Sequence, residues 1–98
     1  MEIIKELEGT ILSVSLVGRL DTNTAPELES EMNESLEGVT ELNLNFRKLD
    51  YVSSAGLRVL LVLQKKMTKQ GSMTICNVND QIAEVFDITG FADILTIK

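Results

Sequence analysis

Apolar residues recur with two different periods along this chain, every second position in some stretches and every third or fourth in others. Glu2 to Leu7 reads as a short strand, and Glu8-Gly9 supplies a tight turn into a second. In Thr10 to Val17, Leu12, Val14 and Leu16 alternate with Ser13 and Ser15, the period of a half-buried strand. Gly18-Arg19-Leu20-Asp21 breaks that alternation. Ala25, Leu28, Met32 and Leu36 then follow at three- and four-residue spacing, so one stripe of a helix faces the core. Thr24 and Glu27 have the spacing of a capping box, Pro26 falls in the first turn where its missing N–H costs nothing, and Gly38 is the stop.

Glu41 to Phe46 alternates again, with Leu42, Leu44 and Phe46 on one side and Asn43 and Asn45 on the other. A central parallel strand is usually apolar on both faces, so the asparagines predict a sheet with one face partly solvated. The aliphatic run Val59 to Leu63 fits a buried strand or a helix. Length decides for the helix, because the segment continues through Lys65, Lys66 and Lys69 to Gly71, a helix-ending combination. Met73 to Val78 is expected to be a strand. Asn79 or Asp80 caps a helix bearing Ile82, Val85 and Phe86, Gly90 ends it, and Ile94 to Ile97 is expected to close the chain as a strand. Two strands followed by alternating helices and strands predict an α/β fold. The expectation is a single domain over 1–98, with a mostly parallel four- to five-stranded sheet, an N-terminal antiparallel hairpin and three to four helices, and with helices covering one face of the sheet better than the other.

Composition mainly removes possibilities. The 98 residues suffice for one core. Fifteen acidic residues against nine basic ones give a net charge of −6, which disfavours nucleic acid and anionic membranes as partners and suits a basic docking surface. There is no His and only one Cys, Cys76, which excludes the commonest general base, the usual zinc ligand sets and an internal disulfide. Cys76, in an apolar strand, is expected to be a small core residue. No metal site, P-loop or G-x-G-x-x-G is present. The first eight residues carry Glu2, Lys5, Glu6 and Glu8 and do not resemble a signal peptide. No apolar run approaches the length of a membrane span, so the expected location is the cytoplasm, without membrane insertion. The acids Glu27, Glu29, Glu31, Glu34 and Glu37 read as a solvated helix face.

One place stands out as a possible charge switch. In Val52-Ser53-Ser54-Ala55-Gly56-Leu57 two serines sit where an apolar strand gives way to an apolar helix. A helix start leaves backbone N–H groups without partners and carries partial positive charge, so a hydroxyl there can act as a cap, and a phosphate on it would lie in a favourable field. On its own, such a serine is a cap. Gly56 reads as a position of close backbone approach.

This segment resembles the phosphorylation segment of STAS domains, in particular the bacterial anti-sigma factor antagonists. Gly18-Arg19-Leu20-Asp21 is similar to the family's G-x-L-D turn, Thr24-Ala25 to the start of its first helix, and Phe86-Asp87-Ile88-Thr89-Gly90-Phe91 to its F-x-x-[ST]-G-L/F ending. All four lie in the same order and cover nearly the whole chain. The resemblance implies Ser54 as phosphoacceptor, with Ser53 the N-cap and a minor alternative acceptor. The family often has Asp before the acceptor and Ser or Thr after it, where this chain has Ser53 and Ala55. The resemblance also implies a docking surface of Asp21, Thr22, Asn23, Ser53, Ala55, Gly56 and Arg58, although Asp21 could equally serve only to order its own loop. The implied partners are an anti-sigma factor that is also a serine kinase, and a metal-dependent serine phosphatase. The protein itself would be no enzyme and need no cofactor, the ATP belonging to the kinase, and would be a monomer or weak dimer. The alternatives are a non-switching STAS interaction module, as in a stress-signalling assembly or a lipid-transport complex, and more remotely a small nucleotide-binding domain.

Overall fold

The hairpin read from the first residues forms as β1 (Glu2–Glu8) and β2 (Ile11–Leu20), antiparallel, with Lys5 opposite Val14. In the computed structural model, which describes residues 1–98, the chain continues through α1 (Ala25–Ser35), β3 (Glu41–Val52), α2 (Ser54–Gln70), β4 (Ser72–Cys76) and α3 (Asp80–Thr89). One four-stranded sheet in the order β1-β2-β3-β4 results, parallel from β2 onward.

Burial follows the alternation. Leu12, Val14, Leu16, Leu42, Leu44, Phe46, Met73 and Ile75 point from the sheet into one core with Leu28 and Met32 of α1, Leu60, Leu63 and Met67 of α2, and Ile82 and Phe86 of α3. Their neighbours Ser13, Ser15, Asn43, Asn45, Thr74 and Cys76 lie on the other face, exposed or half-buried. All three helices therefore serve one face of the sheet, and the asparagines mark the face left open. Cys76 is corrected by this arrangement. It is half-buried on the open face opposite Asn45 and is not a core residue.

Two strands are longer than their patterns suggest, and bulges are the reason. Ser15 pairs with Asn45 but Val17 with Lys48, so Phe46 and Arg47 together oppose Leu16. Gly18 then pairs with Leu49 and Arg19 with Tyr51, which leaves Asp50 as a second extra residue. Each insertion shifts the face of every side chain after it. The sequence loses its alternation, yet β3 continues and returns Leu49 and Val52 to the core. Gly18, at φ 109°, takes the backbone conformation β2 needs at the second shift, and the strand runs on to Leu20 instead of ending before the glycine.

The helix ends are mostly those expected. Asn79 caps α3, its Oδ1 accepting the Ile82 N–H at 2.8 Å, and Gly90 ends the helix in the left-handed conformation. Gln70 at the end of α2 donates to the carbonyls of Leu36 and Val39 at 2.7 and 2.6 Å, tying the two helix ends together. The last strand is reduced to a single bridge between Ile75 and Ile97, because the Ile94 and Leu95 N–H groups donate back to the Phe91 carbonyl at 3.0 and 2.8 Å, continuing the 3₁₀ turn at Phe91–Asp93 instead of joining the sheet. β4 likewise stops at Cys76, where Asn77 turns to φ 58°. No helix is long and apolar enough to cross a membrane.

Candidate functional site

Because β2 and β3 are parallel, they end on the same edge of the sheet, where ligands and partners of such sheets usually gather. The two ends are joined directly: the Ser53 N–H donates to the Leu20 carbonyl at 2.8 Å. Asp21 and Ser54 each follow one residue beyond that bond. Gly56 makes the approach possible. A Cβ there would lie 2.7 Å from Leu20 Cγ and 2.9 Å from Leu20 O.

The two serines are given different tasks. Ser53 is extended at φ −90°, ψ 175°, and its Oγ accepts the Gly56 N–H at 3.3 Å, while its carbonyl accepts the Leu57 N–H at 2.9 Å. It is the N-cap. Ser54 is the first residue of α2 and is exposed, with the capping role already filled by its neighbour. Arg58, one turn further along α2, is exposed and Ala55 is half-buried.

The Asp21 loop is ordered from within. Asp21 Oδ1 accepts the N–H groups of Asn23 at 3.0 Å and Thr24 at 3.1 Å, and its carbonyl accepts the Ala25 N–H at 2.8 Å. The Thr24 hydroxyl accepts the Asp21 N–H at 2.8 Å and donates to the Arg19 carbonyl at 2.7 Å. This replaces the expected Thr24–Glu27 capping box. Thr24 already has helical φ and ψ of −98° and −19°, so its hydroxyl turns back toward β2 and Asp21 supplies the cap acceptors. The Thr24 N–H, followed by the Asn23 N–H, the Thr24 hydroxyl and the charge of Arg19, holds the Asp21 carboxyl below the usual carboxylate range against a smaller opposing effect of desolvation. Thr22 and Asn23 stand exposed at the tip of the loop.

Sequence reasoning missed the partner of this loop on the open face. The Arg19 guanidinium lies 4.4 Å from the centre of the Tyr51 ring, with its Nε 3.7 Å from Asp21 Oδ2. Only the second bulge brings Arg19 opposite Tyr51, and the linear sequence gives no sign of it. The edge thus gathers Asp21, Thr22, Asn23, Ser53, Ser54, Ala55 and Gly56, with Arg58 on the exposed side of α2. No three His, Cys, Asp or Glu side chains come together as a metal site.

The fold is that of a small α/β domain with one edge that gathers these residues. A family model for the STAS domain matches residues 2–98, and the chain belongs to that family. BtrV of Bordetella bronchiseptica is 33% identical over 94 residues, covering 94% of this chain and 80% of BtrV. The anti-sigma-B factor antagonist of Bacillus subtilis is 32% identical over 96 residues, covering 97% of this chain and 87% of that protein. In three dimensions the chain is similar to SpoIIAA, an anti-sigma factor antagonist. The unphosphorylated form matches with a TM-score of 0.77 at 18% identity over 99% of this chain and 87% of SpoIIAA. The phosphorylated form matches with a TM-score of 0.76 at 18% identity over 99% of this chain and 91% of SpoIIAA.

Proposed function

We propose that this protein is an anti-sigma factor antagonist that works as a phosphorylation-controlled binding switch in the cytoplasm. Unphosphorylated, it binds an anti-sigma factor that is also a serine kinase and so frees a sigma factor. The kinase transfers the terminal phosphoryl group of its own ATP to the Ser54 oxygen, which loses its proton, and the modified antagonist dissociates. A serine phosphatase restores the hydroxyl. The domain supplies a surface and an acceptor, and the catalysis and the nucleotide belong to its partners.

The observation that carries this reading is the separation of roles at the start of α2. Ser53 holds the helix end, which leaves the adjacent Ser54 hydroxyl exposed on the same edge as the Asp21 loop. Phosphorylation adds about −1.5 to −2 charges at pH 7. A helix N-terminus tolerates them, so the cost falls on the docked partner through desolvation and repulsion.

Intact-mass spectrometry with site mapping, after incubation with ATP and candidate anti-sigma kinases from the source organism, tests the proposal. One added phosphate on Ser54, absent in Ser54→Ala, is the expected result. No modification by any candidate would leave a non-switching interaction module as the reading.

A further inference from the structure

The open face of the sheet holds a feature apart from the edge that carries Asp21, Ser53 and Ser54. Where the first bulge disturbs the pairing of β2 and β3, a cavity of about 120 Å³ opens, lined by Ile4, Ser15, Leu16, Val17, Asn45, Arg47 and Lys48. A single water needs only about 10–15 Å³ of such space, so the cavity admits a small organic molecule. The bulge creates the site by placing Arg47 and Lys48, consecutive in sequence, both at its margin.

The lining is one-sided in its chemistry. The chain carries fifteen acids against nine bases, yet two of the bases and none of the acids line this cavity. Glu2, opposite Val17 in the register, stands outside it. The two ion pairs of the molecule use Lys5 and Arg19, so Arg47 and Lys48 keep their charges uncompensated. Asn45 Oδ1 is already occupied, accepting the Arg47 N–H and the Asn77 side-chain amide, each at 3.0 Å. The polar groups it leaves to a ligand are the Asn45 NH₂, the Ser15 hydroxyl, the guanidinium and the ammonium, all able to donate. Beside them Ile4, 49% exposed, and Val17 offer aliphatic surface.

We propose that this cavity binds a short-chain aliphatic carboxylate. The carboxylate meets Arg47 and Lys48, and the alkyl chain lies along Ile4 and Val17. A carboxylate suits the guanidinium in particular, because its two oxygens match the planar donor fork. The site lies on the face opposite the helices and does not depend on the phosphorylation of Ser54.

The test is a titration of the ¹⁵N-labelled protein with hexanoate, followed by amide shifts, with hexanol and inorganic phosphate as controls. Saturable shifts at Ile4, Ser15, Val17 and Asn45 are expected with hexanoate, together with at least tenfold weaker binding of hexanol and of phosphate. The double variant Arg47→Gln/Lys48→Gln, with both side chains exposed and outside the core, should retain the wild-type spectrum elsewhere and bind hexanoate at least tenfold more weakly. Shifts that do not saturate or that centre elsewhere would overturn the proposal, as would undiminished binding by the double variant. Equal binding of hexanol would eliminate the carboxylate's role, and equal binding of phosphate would reduce the site to a bare cation pair.

Discussion

Ser53 and Ser54 are identical residues in adjacent positions with opposite expected responses to substitution. Ser53→Ala removes the cap acceptor of the Gly56 N–H. It should cost about 1 kcal/mol, a fall of roughly 4–8 °C in Tm for a domain of this size. Ser54→Ala should stay within about 0.5 kcal/mol of wild type in the same thermal unfolding experiment, because its hydroxyl has no capping role. Asp21 makes a prediction in pH. Its carboxyl is held below its ordinary value of 3.8, first by the Thr24 N–H, so the folded state binds that proton less tightly than the unfolded state. The stability it contributes is fully present above about pH 4 and is lost as the pH falls through the depressed folded value. Acid unfolding of Asp21→Asn should therefore run more nearly parallel to the pH axis below pH ~4 than that of wild type, with the two slopes agreeing near neutrality. A carboxyl NMR titration that placed Asp21 at or above its ordinary value would contradict this.

At the scale of elements, the fold depends on two close backbone approaches made by glycines, and only one of them lies at the site. Gly56 lets the start of α2 rest on Leu20, and Gly71, just after α2, lets the entry to β4 pass Thr40, where a Cβ would come within 1.8 Å of the Thr40 carbonyl oxygen. Both contacts involve backbone, which has little room to move. Gly56→Ala should cost about 1–3 kcal/mol and Gly71→Ala at least as much, measured by denaturant midpoint. The two should differ in function. Gly56→Ala displaces the serine-bearing end of α2 from the Asp21 loop and should weaken partner binding more than its stability loss explains. Gly71→Ala acts at the far edge of the sheet and should affect affinity only through stability. The glycines were legible as breaks in the sequence pattern, and their neighbours were not, because Leu20 and Thr40 are distant in sequence and only the strand register brings them close.

For the whole molecule, the proposed switch predicts that folding and binding respond separately to phosphorylation. Phosphate at the first residue of the 17-residue helix α2 meets free N–H groups and the positive end of the helix dipole, an effect of about 0.3–1 kcal/mol in favour of the fold. The phosphorylated and unphosphorylated forms should therefore unfold within a few degrees of each other. Their affinities for the kinase partner should differ by orders of magnitude, since swinging occupancy from nearly full to nearly empty takes about 10⁴-fold, or ~5.5 kcal/mol. Calorimetric scans paired with a binding titration check both halves. A phosphorylated form that melted far below the other would mean that the switch works by unfolding.

The sequence alone determined the local choices: which segments are helices, which face of each points inward, that a helix starts at Ser53 and another at Asn79 or Asp80, and that Gly38, Gly71 and Gly90 follow their ends. These depend on the periods of apolar residues and on the bonding capacity of single side chains, which neighbours in sequence express directly. It also placed the serine pair at the start of α2, through a motif confined to six consecutive residues. Tertiary structure decided what depends on register. The bulges in β3 set Arg19 on Tyr51 and Arg47 and Lys48 beside the open-face cavity, the pairing of β4 with β3 set Cys76 opposite Asn45 on the open face, and the turn at Phe91 left the last strand as one bridge. A bulge costs little locally, so no short stretch of sequence announces it. Its effect appears only when two strands are paired, and it then fixes the face of every side chain that follows.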